Sequence, residues 1–175
     1  FESQQSATRT LSFASAIALL VIFLLLFQEF KSFTLSGMIM INLPLALIGG
    51  VAAIAMTSGI VSIPAIIGFI SLLGIAVRNG ILLVSHYGQL RHEGISLKES
   101  IVQGSLDRLN PILMTSLSSA LALIPLALGE DISGNEIQSP MAKVILGGLI
   151  SSTLLNIFVI PTVYLFLNSK KKSHA

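Results

Sequence analysis

The 175-residue chain has no cysteine and no tryptophan, and only 10% of its residues are charged. Without cysteine, neither a disulfide framework nor thiolate metal ligation is available. The scarcity of charge excludes more. A soluble domain carries about 25% charged residues to cover its water-facing surface, and this chain, 53% hydrophobic with a mean hydropathy of +0.89, lacks that cover. Its apolar residues run continuously instead of alternating with polar ones over about ten residues, which excludes a transmembrane β-barrel.

What the chain does have is a series of apolar runs near the length of about 20 residues that crosses a bilayer as a helix. Five are expected: Leu11–Phe27, Phe33–Met56, Val61–Val84, Pro111–Leu128 and Met141–Leu167. The fold class is therefore an all-α integral membrane protein embedded in a lipid bilayer, and no cofactor and no nucleic-acid partner is expected. Basic residues mark one side: Lys31, then Arg91, Lys98 and Arg108, then Lys170-Lys171-Lys172. The other side carries Arg9 and Lys143 at span ends beside Glu2, Glu130, Asp131 and Glu136. By the positive-inside rule the N-terminus is expected outside and the C-terminus in the cytoplasm. Residues 1–10 are polar and begin with Phe1, as expected for the end of an external region in a longer membrane protein, and residues 168–175 form a basic cytoplasmic tail.

The connections are expected to be tight, roughly Gln28–Ser32 and Thr57–Ile60, except for the longer Ser85–Asn110 segment. There Ser96-Leu97-Lys98-Glu99 fits a capping box, with Ser96 as N-cap and Glu99 three residues on. Leu97, Ile101, Leu106 and Leu109 follow near helical spacing, which predicts a short amphipathic interfacial helix over about 96–108. Asn110-Pro111 and Pro140 are expected to open spans four and five. Gly49-Gly50 and Gly147-Gly148 supply small surfaces for close helix approach.

One residue breaks the apolar pattern. Arg78 lies inside the third span, where a permanent charge costs about 2.5–3.5 kcal/mol on insertion scales unless protein or water receives it. Gly68, Ser71, Gly74, Arg78 and Ser85 share one stripe at 3.6 residues per turn, and Asn79 follows Arg78 directly. On the fourth span Thr115, Ser118, Ser119 and Ala122 form a second small, hydroxyl-bearing stripe. The expectation is that these faces turn into the bundle and pack together as a polar track, with Gly74, Ser71 and Ser119 in the helix contact. No Asp or Glu lies inside any of the five runs. A buried arginine needs a counter-charge, so its carboxylate partner is expected on a helix outside this chain. Snorkelling of Arg78 to the rim is the competing reading.

These residues resemble a family. Gly74–Tyr87 (GIAVRNGILLVSHY), Asn110–Gly129 (NPILMTSLSSALALIPLALG) and Gly134–Phe166 (GNEIQSPMAKVILGGLISSTLLNIFVIPTVYLF) are similar to the C-terminal membrane block of resistance-nodulation-division (RND) efflux permeases, the last most like the heavy-metal-efflux subfamily. The resemblance implies the last five spans of a twelve-span permease of the bacterial inner membrane, a secondary transporter and not an enzyme. It further implies a homotrimer that exchanges protons for its cargo and works with a periplasmic adaptor and an outer-membrane channel. On the same resemblance Arg78, Asn79, Thr115 and Arg108 match positions of the proton-coupling relay, Arg78 standing where relatives have lysine. An arginine does not give up its proton, so here it is expected to act as a fixed counter-charge. The partner on this reading is the N-terminal half of the permease, and the cargo (cation, other compound or lipid) stays open.

Other classes fare worse. Ser85-His86 suggests an intramembrane serine protease, yet no Gly-x-Ser-x-Gly elbow is present and neighbouring residues point to different sides of a helix. The five methionines are scattered, and His86 and His92 stand six residues apart and do not share a helix face, so no metal site is expected. A packing module with no transport of its own is the alternative to a working permease half.

Overall fold

The computed structural model describes residues 2–57, 61–129, 134–135 and 137–171, with side chains described for 9–57, 61–129, 134–135 and 137–169. The expectations for Glu2, Glu130, Asp131, Glu136 and the basic tail rest on side chains outside those ranges. Among the described residues five helices follow one another: α1 (Glu2–Phe30), α2 (Phe33–Met56), α3 (Ile63–His92), α4 (Leu97–Leu128) and α5 (Gln138–Lys171). All five are long and apolar enough to span a membrane. Helices suit that setting because every backbone N–H and C=O is satisfied within the segment.

Among the described residues α5 is the centre of the bundle, packing against α2, α3 and α4, while α1 lies outside and touches only α2 and α3. Small residues create that centre. At Gly49 a Cβ would collide with the carbonyl of Gly147, and at Gly147 one would collide with the carbonyl of Gly49 and the methyl of Ala53. The backbones of α2 and α5 therefore touch. Ser151 reinforces the contact by donating to the Ala46 carbonyl at 2.7 Å. On the α3 side, Leu72 fills the space above Gly148, and Gly68 lies against the backbone of Met141. The glycine pairs do what the sequence suggested.

Turns are shorter than the sequence suggested. α1 runs on to Phe30, so only Lys31 and Ser32 connect it to α2. Lys31 adopts φ +46° to make the reversal, and the Phe27 and Phe33 rings on either side of the turn pack together at a centroid distance of 4.3 Å. α3 begins with Ser62 as N-cap, its Oγ accepting from the Ala65 N–H at 3.4 Å.

The largest correction concerns Ser85–Asn110. It is neither a long connection nor a separate interfacial helix over 96–108. α3 continues to His92, α4 starts at Leu97, and only residues 93–96 turn the chain. Gly94 at φ +88° allows the Ile95 N–H to return to the Leu90 carbonyl at 3.2 Å. Ser96 caps α4 as expected, accepting from the Glu99 N–H at 3.4 Å and donating to the Glu99 carboxylate at 2.7 Å. α4 then passes straight through Asn110-Pro111. The apolar pattern stopped where lipid contact stops, whereas the helices continue because they pack on each other. Tyr87 and Leu90 are buried against Ile101 and Gly104, and the Tyr87 hydroxyl hydrogen-bonds Ser105. At about 1.5 Å per residue each helix of this hairpin reaches about 45 Å, well beyond a hydrocarbon core of about 30 Å.

The glycine seam gives a direct test in the complete permease. Gly147→Leu forces α2 and α5 apart and should lower stability by about 1–3 kcal/mol, as overpacking does, read as a lower thermal midpoint in detergent. Gly37→Ala, where nothing lies within 4 Å of the new Cβ, should leave the midpoint unchanged. An unaltered midpoint for Gly147→Leu would contradict the seam.

Candidate functional site

The face of α3 that packs into the bundle is apolar: Leu72, Ala76, Leu83, Val84 and Tyr87 are all buried. Packing those residues toward α5 and α2 turns the other side outward. Ser71, Gly74, Arg78 and Ser85 all lie exposed on the outer surface of α3, and Gly68 alone of the predicted stripe is buried. This corrects the expectation that the stripe turns inward within the chain. A Cβ at Gly74 would meet nothing within 4 Å, and the Ser71 hydroxyl donates only to its own helix, to the Ile67 carbonyl at 3.0 Å. Neither residue packs against another helix of this chain.

The second stripe is likewise outside. Thr115, Ser118 and Ala122 are exposed and Ser119 is half-buried. Thr115 Oγ1 donates to the Pro111 carbonyl at 2.9 Å, a bond within its own turn. The two stripes do not pack together into an internal track. The physical reason is simple: a polar stripe shows which side avoids lipid but not which neighbour covers it.

They do stand at one depth. His86 Nε2 and Asp107 Oδ2 meet at 3.0 Å between α3 and α4. Arg78 lies eight residues before His86 and Thr115 eight residues after Asp107. In an antiparallel hairpin both are therefore about 12 Å of helical rise from that pair. Arg108, half-buried, precedes Thr115 by seven residues, two turns nearer the α3–α4 turn. Asn79 differs from its neighbour: it is buried, beside Gly80, whose missing side chain lets Ile39 of α2 and Ile160 of α5 approach. Among the described residues Arg78 makes no ion pair, for the one pair at the hairpin belongs to His86 and Asp107.

Several polar contacts went unread in the sequence. Ser116 and Thr153 share a buried hydrogen bond of 2.8 Å between α4 and α5, and Ser139 donates to the Ala127 carbonyl at 3.2 Å across the same pair of helices. The serine stripe was in view, but its inward member, Ser116, sits one position away from Thr115. Asn42 on α2 is 3% exposed and Asn156 on α5 fully buried. Both Asn42 side-chain atoms and Asn156 Oδ1 have no hydrogen-bond partner among the described residues. An isolated asparagine in an apolar run was the available signal for each.

Ser116→Ala and Thr153→Val, singly and together in the complete permease, should give a coupling energy of about 0.6–1.7 kcal/mol in unfolding, the range for interhelical hydrogen bonds in membranes. Strict additivity would remove that contact from the account.

Known proteins give this geometry a family. Residues 1–168 match the model of the AcrB/AcrD/AcrF family. The chain is 40% identical over 170 residues to the cobalt-zinc-cadmium resistance protein CzcA of Cupriavidus metallidurans, covering 97% of this chain and 16% of that protein. It is 42% identical over 173 residues to protein HelA of Legionella pneumophila, covering 98% of this chain and 16% of that one. A crystal structure of a heavy metal efflux pump superposes with a TM-score of 0.85 at 36% identity, over 97% of this chain and 16% of its own. The chain thus spans about a sixth of the length of these relatives. With the motifs of α3, α4 and α5 in order and the five-helix arrangement shared, the chain belongs to the AcrB/AcrD/AcrF family of RND permeases.

Proposed function

We propose that these five helices form part of a proton-driven efflux permease in which Arg78 is the fixed positive charge of the coupling site. One observation carries the reading: Arg78 stands near the middle of α3, exposed on this chain's surface, and among the described residues no carboxylate pairs with it. A guanidinium at that depth is stable only against protein or water. The completing surface is a helix of the N-terminal half bearing a carboxylate.

The chemistry follows from the charges. Ionised, the carboxylate pairs with Arg78 in a bidentate contact. Protonated from the periplasmic side, it releases the guanidinium, and α3 shifts against the facing half between two packed arrangements. Arg78 itself stays charged throughout. Thr115, exposed at the same depth, receives the guanidinium or the neutral acid by hydrogen bonding, and Asn79, buried on the inner side of α3, carries the shift into the bundle. Arg108 holds positive charge on the side where the proton leaves. A membrane potential supplies about 2.3 kcal/mol per charge per 100 mV, enough to bias such a switch. Ser71, Gly74 and Ser119 are surfaces on which the other half packs.

The same reading places the protein in the bacterial inner membrane with its N-terminus periplasmic, as a homotrimer with a periplasmic adaptor and an outer-membrane channel. Relatives named for cobalt, zinc and cadmium resistance support a divalent cation as cargo. Recognition of that cargo falls to regions beyond these helices.

In the complete permease reconstituted into vesicles with an imposed pH gradient, Arg78→Ala should lower coupled transport by roughly a hundredfold or more, the equivalent of the 3–5 kcal/mol lost on breaking a buried ion pair. Arg78→Lys, which keeps the charge, should retain a measurable share, and both variants should assemble. Wild-type transport by Arg78→Ala would end the proposal.

A further inference from the structure

Three contacts set the register of α3 against α5, which run in the same direction. Leu72 fills the space above Gly148, Gly80 lets Ile160 approach to 3.6 Å from where a Cβ would stand, and Leu83 and Asn156 border the same cavity. Asn79 follows Leu72 by seven residues, and Asn156 follows Gly148 by eight. The two amides therefore stand at one depth of the α3–α5 contact. Asn79 shares its helix face with Leu72, Ala76 and Leu83, all buried.

Both amides are short of bonds. Asn79 is 5% exposed, and its side chain has no hydrogen-bond partner among the described residues. Asn156 is fully buried; its Nδ2 donates to Ser152 at 3.4 Å, while Oδ1 has no partner among the described residues. An unmet buried acceptor weighs against the packing that leaves it so by roughly fivefold to a hundredfold in population. No molecule from outside reaches this oxygen, so its donor has to come from a neighbouring helix, and Asn79 is the free amide on the facing one. We propose that Asn156 is the positioning residue through which α5 receives the coupling movement. As α3 shifts, Asn79 Nδ2 comes to donate to Asn156 Oδ1, and that bond holds the second of the two packed arrangements. The inference rests on the proposed coupling role of Arg78, the residue directly before Asn79.

The surroundings leave room for that shift. A largely aliphatic cavity of about 130 Å3, bordered by Leu83, Leu109 and Ile112, lies one turn beyond Asn79 and takes up displaced side chains. Pro161, five residues after Asn156, has no N–H for the Ile157 carbonyl, so α5 yields just past the amide. Gly80 presents no side chain to obstruct the movement of α3 over Ile160.

The test uses the complete permease, in detergent for thermal unfolding and in vesicles with an imposed pH gradient for transport, with Zn2+ as the transported probe. Asn156→Leu keeps the branching of the side chain and removes the unmet acceptor and the bond together. It should raise the thermal midpoint yet lower turnover at saturating Zn2+ by roughly three- to twentyfold, the weight of one interhelical hydrogen bond in a membrane. The half-saturating Zn2+ concentration should not change. A residue that only supports the fold would move stability and turnover in the same direction. Asn79→Leu should slow turnover by a similar factor, and the double variant should be no slower than the slower single one. Where Asn156→Leu does not fold, Asn156→Ala, which enlarges a cavity already present, takes its place in that comparison. Wild-type turnover without the Asn156 amide would overturn the inference. So would losses that multiply in the double variant, or a midpoint of Asn156→Leu that falls together with turnover. Arg78→Ala measured alongside keeps the two proposals apart. Wild-type turnover in that variant ends the coupling reading itself, whereas loss there beside normal turnover in Asn156→Leu ends only the role of Asn156.

Discussion

Backbone contact between α2 and α5 at Gly49 and Gly147 sets the direction of every other helix face. Once those two helices touch, Gly148 and Gly68 leave room for α3 to bring Leu72 and its apolar neighbours against α5. α3 has only one other side, and that side carries Ser71, Gly74 and Arg78. The exposed guanidinium is thus a consequence of packing and not an isolated oddity. Lipid offers no hydrophobic force to hold helices together, so small residues and interhelical hydrogen bonds do the holding. Ser151 to Ala46 and Ser116 to Thr153 are the bonds that fix α5 in place.

This arrangement divides the bundle into a closed interior and an open, charged outer face. Asn79 belongs to the first and Arg78 to the second, although they are adjacent in sequence. Gly80, next to Asn79, is where Ile39 of α2 and Ile160 of α5 close on α3. Nearer the turn of the hairpin the His86–Asp107 pair and the Tyr87–Ser105 bond tie α3 to α4 and hold the two stripes at one depth.

Much of this was legible in the residues. Five apolar runs of bilayer length gave five helices, and α2 matches its predicted bounds of Phe33 and Met56. Ser96 and the paired glycines behaved as their local chemistry required. Three things were hidden. Hydropathy falls where a helix leaves hydrocarbon, so the continuation of α3 past Ser85 and of α4 before Pro111 was invisible until Tyr87, Leu90 and Ile101 were seen to pack together. Periodicity places Arg78 opposite the greasy face, but burial within one chain and burial within the full assembly are different, and the pattern does not separate them. Asn42 and Asn156 were hidden for a third reason: a single amide in an apolar run has no spacing to read.

The central claim is that the charge of Arg78 is met by an acid from beyond these five helices. Its most direct test is a high-resolution structure of the intact permease in a bilayer mimic, determined at alkaline and acidic pH. A carboxylate oxygen within about 4 Å of the Arg78 guanidinium when deprotonated, and separated from it when protonated, is the result expected. A guanidinium that reaches the aqueous boundary at both pH values, with no carboxyl group beside it, would contradict the account.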